Sequence, residues 1–322
     1  MQSFINFPTE ELMTATQIRD EAWVHSTLIP SWVRGREVSL DQHNTPPNVA
    51  KYCWDNFKRI LDKDGKKLNN YKIVEPSAGG GSFYELLPEK NRIGIDIEKF
   101  HTHPSYVQAD FLTWNPLKKD EKYIAIGNPP FGYRGWLALS FINHAAEFCD
   151  YVGFILPMGF QSEGKGSLKY RVKGMTLIHH EILPESLFMK PNGEKTSVNT
   201  LWQIWRKGEE IQRPDYSKCD DFLELFTVDW RKERLCGQEK MKDCKIFLQR
   251  TFYTEPPTLV DDFSKVKYCC GYGFIIKKDK KRIMQLLRNA DWAKYSNLTT
   301  HNCRHISMDH IKQYLLDCYI RG

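Results

Sequence analysis

Between residues 71 and 205 the apolar positions fall into short blocks with two different periods. Seven runs are almost continuously apolar, β-branched or aromatic: "YKIVE" (71–75), "RIGIDI" (92–97), "YVQA" (106–109), "KYIAIGN" (122–128), "YVGFILP" (151–157), "TLIHHEIL" (176–183) and "VNTLWQIW" (198–205). Runs of this kind predict strands covered on both faces, as in a parallel sheet. Longer stretches between them can be helical, and "WLALSFINHAAEF" (136–148) has the apolar spacing of a crossover helix. The alternation predicts an α/β fold with a doubly wound, mostly parallel sheet of seven strands. "PESLFMKPNGEKTS" (184–197) reads as a loop, so its two flanking strands are expected to pair antiparallel at one edge.

Past residue 205 the pattern changes. "KGEEIQRPDYSKCDD" (207–221) is polar and proline-punctuated, which marks a linker. The chain then divides into 1–206 and a smaller C-terminal domain over 207–322. Within that domain "KYCCGYGFIIKKDKKRIMQLLRNADW" (267–292) predicts a strand, a turn and a basic helix. Charge follows the same division. Residues 1–205 carry equal numbers of basic and acidic side chains, so the whole net charge of +6 lies in residues 206–322. A basic module beside a neutral one suits a polyanionic partner, although an ordinary solvated surface gives the same count. "KKDKKR" (277–282) can grip phosphates or be a solvated turn.

With 322 residues, 41% of them hydrophobic, the chain can bury one large core and a smaller one. No run reaches the roughly 18 apolar residues of a membrane helix, and "MQSFINFPTEELM" has no signal-peptide pattern. Nine irregularly spaced cysteines predict a reduced, cytoplasmic protein rather than a disulfide framework. Residues 1–40 hold Trp23 and Trp32 but no decodable motif.

Candidate chemistry begins after the first strand. "VEPSAGGGSF" (74–83) puts Gly79, Gly80 and Gly81 where a backbone must bend sharply and approach a ligand, ahead of an expected helix. The second strand ends on Asp96, placed to accept hydrogen bonds from ribose hydroxyls. The third ends on Asp110 and Phe111, a carboxylate and a ring suited to an adenine's amino group and face. Singly, each acid is more often a solvated loop residue; at successive strand ends after a glycine turn they form a nucleoside-binding arrangement. No GxxxxGK[ST] is present, so a P-loop is excluded. An NAD fold stays open at this point.

The fourth strand runs into Asn128-Pro129-Pro130-Phe131. Proline fixes φ and pushes its predecessor toward an extended conformation. Two acceptors, the Asn128 side-chain oxygen and the Pro129 carbonyl, can therefore be held toward one point, where they suit an NH₂ group with two hydrogens. Phe131 can stack on the ring that bears it. A stiff proline turn capping a strand is the alternative.

Together these motifs resemble those of the adenine-N6 DNA methyltransferases whose cofactor motifs come first and whose target-recognition region is C-terminal. The resemblance covers about residues 41–205 and implies a Rossmann-like methyltransferase sheet and S-adenosylmethionine as cofactor, with no metal expected. "VEPSAGGGSF" resembles the first motif, implying contacts from Glu75, Pro76, Ser77, Ala78, Gly79 and Gly81. "GID" and "ADF" resemble the second and third, implying Asp96 with Ile97 and Asp110 with Phe111. "NPPF" is similar to the catalytic fourth motif, in which Asn128 also borders the cofactor. Upstream, "NTPPNVAKYCWDNF" (44–57) resembles the motif whose Thr45 and Pro46 would touch the methionine carboxylate. Downstream, "LFMKPNGEKTSVNTLWQIW" is similar to a late motif that would supply a second aromatic, Phe188, to a flipped-out base.

The implied partner is double-stranded DNA, with no membrane, a monomeric enzyme and a functional pairing with a restriction endonuclease. Turns of the NPP-aromatic type also serve methyltransferases acting on RNA adenine or on protein glutamine. The glutamine-modifying enzymes have Tyr where this chain has Phe131 and usually lack a basic C-terminal extension. An inactive partner subunit and a structural zinc site from Cys236, Cys244, Cys269, Cys270 and "HNCRH" (301–305) are the remaining readings, the second without a CxxC pair to set it.

Overall fold

The structure is a computed structural model and describes residues 44–164, 166–189, 195–229, 240, 246–262, 270–300 and 302–320. It divides into two compact units, one running to Phe160 and resuming over Tyr170–Ile211, the other comprising Gln161–Lys169 and the chain from Gln212 onward. The division lies after Ile211, five residues beyond 206/207. It also assigns an internal segment, 161–169, to the C-terminal unit.

The first unit opens with helix α1 (Pro47–Lys63), whose proline occupies the first helical position, where a missing N–H costs nothing. Its buried face, Ala50, Cys53, Trp54, Phe57 and Leu61, recurs at helical spacing. The sheet consists of β1 (Tyr71–Glu75), β2 (Arg92–Asp96), β3 (Tyr106–Gln108), β4 (Lys122–Gly127), β5 (Cys149–Pro157), β6 (Met175–Met189) and β7 (Lys195–Lys207). Its order is β3-β2-β1-β4-β5-β7-β6. The first five strands are mutually parallel, and β7 is antiparallel to both β5 and β6. This is the expected doubly wound, mostly parallel seven-stranded α/β sheet.

Helix α2 (Trp136–Phe148) makes the β4–β5 crossover. Successive side chains of a strand point to opposite faces, and β4 shows both faces covered. Ile124 and Ile126 join Ile73, Ile155, Trp202 and Ile204 in a core with α1, while Tyr123 meets Phe148 of α2 at 6.0 Å. Gly153 lets α1 come close: a Cβ there would lie 2.6 Å from the Phe57 ring. A buried polar tie across this core, Trp202 Nε1 to Asn56 Oδ1 at 3.0 Å, keeps the indole N–H satisfied.

Two expectations are corrected. The expected helix after the glycine turn is only a 3-10 turn, Tyr84–Leu86. Leu87 is extended (ψ 144) because Pro88 follows it, and the α conformation is disfavoured before proline. Residues 184–197, read as a loop, belong largely to β6 and β7, which pair as far as Met189↔Lys195. Pro184 cannot donate to a ladder; the register shifts between Leu183 and Ser186, and such a bulge absorbs the proline without ending the strand.

The C-terminal unit contains two three-stranded antiparallel sheets. One joins β8 (Leu223–Asp229), β11 (Cys270–Ile276) and β9 (Phe247–Gln249); the other joins β10 (Thr251–Phe252), β13 (Arg304–His305) and β12 (Asn297–Leu298). The predicted strand, turn and basic helix are β11 and α3 (Lys280–Arg288). Phe274, Ile283, Leu287 and Trp292 pack with Ile311 of α4 (Met308–Leu315) in a separate core. A bidentate pair, Arg213 to the buried Asp309 (Nε to Oδ2, 2.9 Å), anchors the start of the unit to α4. Among the described residues no helix is long and apolar enough to cross a membrane.

A candidate active site at the sheet's switch point

β1 is flanked by β2 on one side and β4 on the other, so the strand order reverses between β1 and β4. Ligands of open α/β sheets bind outside the carboxyl ends of the strands at such a reversal. Two sequence motifs emerge there side by side, because Val74 pairs with Ala125 one residue before Glu75 and two before Gly127. These are the glycine turn and Asn128-Pro129-Pro130-Phe131.

Side-chain bonds join them to a third. Asn128 Nδ2 donates to Thr45 Oγ1 at 3.1 Å, Ser77 Oγ donates to the Asn128 carbonyl at 3.1 Å, and Ser82 Oγ donates to the Thr45 carbonyl at 2.7 Å. Thr45, only 6% exposed, therefore bridges the loop before α1 to both turns. The Thr45 bond also orients the carboxamide: Nδ2 faces the hydroxyl, and Oδ1 is the opposite end. Ser82 lay inside the quoted glycine motif, but nothing in the spacing marked it as the residue that ties Thr45 down.

The proline turn is held from its far side as well. Leu137 N and Ala138 N, in the first turn of α2, donate to the Phe131 carbonyl at 3.2 and 3.3 Å. Gly132 has φ +64, and a Cβ there would stand 2.6 Å from Leu137 Cβ. A glycine is required for the chain to turn this tightly onto the helix. Pro129 is buried, while Pro130 and the Phe131 ring are half-buried, the ring packed on the edge of the α1 core.

In the glycine turn, Gly79 has φ +45 and Gly81 φ +89. A Cβ at Gly81 would meet the His101 ring at 3.0 Å, whereas at Gly80 it would meet nothing within 4 Å and at Gly79 only the Ser77 carbonyl at 4.0 Å. The backbone of Gly79 and Gly80 is thus bare toward open space, a cradle that side chains would fill. Ala78 is tied back by its N–H to the Ile95 carbonyl. Asp96 accepts from Gly79 N at 2.9 Å and from Glu98 N at 3.0 Å. Its first task is to clamp the turn. Ile97 beside it is half-buried.

Glu75 lies beneath, 3% exposed, with Oε2 buried and unpartnered. Pro76 is buried beside it. Burial first, and the charge of Asp96 second, push the Glu75 carboxyl well above the usual carboxylate range. Asp96 is itself raised, chiefly by burial.

Two predicted residues sit differently from expectation. Asp110 Oδ1 accepts from Leu112 N at 2.8 Å, shaping the turn after β3. The Phe111 ring is 1% exposed and packs on Phe141 and His144 of α2 at 5.2 and 5.0 Å. It is a core side chain and cannot lie on an adenine. The apolar run "DFLTW" gave no sign of which ring turns inward. Pro46 is half-buried before α1. Phe188 belongs to β6, paired with Thr196, and its side chain is outside the described residues. So are Cys236, Cys244, Cys269 and His301. Among the described residues no group of three or more His, Cys, Asp or Glu side chains is placed to hold a metal ion.

No protein-family model matches the chain, and no curated protein matches it. Similar solved structures include a Pyrococcus horikoshii protein assigned to the RNA methyltransferases, 17% identical over 62% of this chain and 100% of that one, TM-score 0.41. The magnesium protoporphyrin IX methyltransferase of Synechocystis PCC 6803 is 13% identical over 62% of this chain and 100% of its own, TM-score 0.37. The type IIG restriction endonuclease BpuSI is 13% identical over 77% of this chain but 32% of its own length, TM-score 0.39. Likenesses of this size add nothing to what the strand order already states.

Proposed function

We propose that the chain transfers the methyl group of S-adenosylmethionine to the N6 amino group of an adenine in a specific DNA sequence. The observation that supports this most is the set of bonds among Thr45, Ser77, Ser82 and Asn128, which gathers three separate motifs at the switch point.

The residues fit the cofactor. Gly79 and Gly80 offer a bare backbone, Asp96 and Asp110 offer acceptors at neighbouring strand ends, and Thr45 and Pro46 stand beside the turn. Glu75 Oε2 is a buried acceptor with no protein donor, suited to a cationic ligand. When bound, the cofactor supplies a methyl group already activated on a sulfonium.

The protein's own work is on the acceptor. An exocyclic amine is a weak nucleophile because its lone pair is delocalised into the ring. Asn128 Oδ1 and the Pro129 carbonyl, held rigidly by the Thr45 bond and two prolines, accept the two amine hydrogens and favour the geometry in which the lone pair is localised. Preorganised contacts of this kind are worth about 10²–10³ in rate each, and alignment supplies much of the rest. A base inside a duplex cannot reach such a turn, so it is flipped out and stacked on Phe131.

Asn128→Ala in the full chain tests the reading with labelled cofactor and duplex DNA. Expected is a loss of transfer of about 10²-fold or more, with cofactor affinity within a few fold of wild type. Unchanged turnover would remove Asn128 from the mechanism.

A further inference from the structure

Residues 277–288 hold six cations and one acid, a net of five positive charges in a chain whose total is +6. The structure organises them around the start of α3. Lys277 and Lys278 donate their backbone N–H groups to the Phe222 carbonyl, and Lys277 Nζ donates to the Asp220 carbonyl at 2.8 Å. Phe222 and Tyr319 meet edge to face at 5.0 Å. Lys278 lies over the first ring at 5.8 Å and Arg282 over the second at 4.9 Å. Two cations are thus carried on an aromatic pair, which orders long side chains without neutralising them.

The single acid, Asp279, accepts from the Tyr319 hydroxyl at 3.2 Å. It makes no side-chain cap, and the first turn of the helix contains no acid. The side chains of Lys280 and Lys281 are exposed there and make no hydrogen bond, ion pair or ring contact among the described residues. Cations at this end of a helix oppose its dipole, and beyond the single Asp279 carboxylate no acid of the first turn offsets them.

The apolar side of α3 does not compete for the role. Ile283, Met284 and Leu287 are buried in the unit's core, and the exposed positions, Lys280, Lys281, Arg282, Gln285 and Arg288, are all polar. A helix that lies in a lipid interface needs an exposed apolar face; this one has none.

We infer that the face formed by Lys278, Lys280, Lys281 and Arg282 docks on the phosphate backbone of duplex DNA and positions the C-terminal unit on it. The choice of duplex DNA rests on the function proposed above. The contacts are to phosphate, so they hold the protein in register and carry no sequence information.

The test uses the full chain, a fluorescent mixed-sequence duplex and a series of salt concentrations. Wild type is compared with Lys280→Ala/Lys281→Ala and with Lys280→Arg/Lys281→Arg. The slope of log affinity against log salt should fall in magnitude by about 1.8 in the alanine pair, roughly 0.9 for each lost phosphate contact, and stay at the wild-type value in the arginine pair. The melting temperature of the alanine pair should not fall, since two charges opposing the helix dipole are gone. The inference is overturned if wild type does not bind the duplex, if the alanine pair keeps the wild-type slope, or if single-stranded RNA or anionic vesicles bind more tightly than the duplex. Binding needs no methyl transfer. A patch-dependent slope in a protein that methylates no adenine would keep this face and remove the proposed reaction. Methylation with an unchanged slope would do the reverse.

Discussion

At the scale of single residues, two side chains can be examined apart from the rest. Thr45 gives the Asn128 amide its acceptor. Thr45→Val keeps the shape, removes that oxygen and leaves a half-buried N–H without a partner, at a cost of about 1–3 kcal/mol. Turnover should fall about tenfold or more, with cofactor affinity changed less; equal losses in both would mean that Thr45 acts on the cofactor alone. Glu75 answers to pH. Its raised carboxyl stabilises the folded chain fully at acid pH, and that stability is lost as pH rises through the raised value. A cationic ligand beside Oε2 prefers the anion, so binding expels the proton and affinity should rise with pH. Calorimetry in two buffers of different ionisation enthalpy measures the proton released, and Glu75→Gln should remove both the release and the pH dependence. Affinity that falls with rising pH in wild type would contradict the assignment. The turns that carry Thr45, Gly79 and Asn128 could be located from the sequence because proline and glycine mark turns. Which way the Phe111 ring faces could not be read from it, since burial of one ring among several is decided by α2.

Among elements, the strands were the most readable part of the chain, since both-face burial writes itself as continuous apolar runs. β1 coincides with "YKIVE" and α2 with the predicted 136–148. Where the reading failed, proline was responsible twice: Pro88 ended the expected helix after the glycine turn, and Pro184 suggested a loop where β6 bulges and continues. The tightness of the turn into α2 was also hidden, because it depends on Leu137 standing close to Gly132. Gly132→Ala places a methyl in left-handed backbone against that side chain. It should cost about 1–3 kcal/mol in denaturant unfolding and lower turnover by loosening Phe131. Wild-type stability and turnover in this variant would show that the turn has slack the geometry denies.

For the molecule as a whole, composition located the charge but not its organisation. The net +6 was assignable to residues 206–322 from counting alone, whereas the aromatic pair that carries two of the cations joins Phe222 to Tyr319, almost a hundred residues apart. The polar, proline-punctuated stretch after residue 206 was visible in the sequence. The inclusion of Gln161–Lys169 in the second unit was not, because no composition change marks a short segment that packs elsewhere. Excising residues 207–322 alone would therefore strand that segment, and a clean separation removes both pieces. The most direct measurement leaves the chain intact: genomic DNA from cells expressing wild type or Asn128→Ala is sequenced with detection of N6-methyladenine. The predicted result is a mark on the adenine of one recurring sequence with wild type and none with the variant. Unmarked adenine with wild type, or the same marks with both, would contradict it.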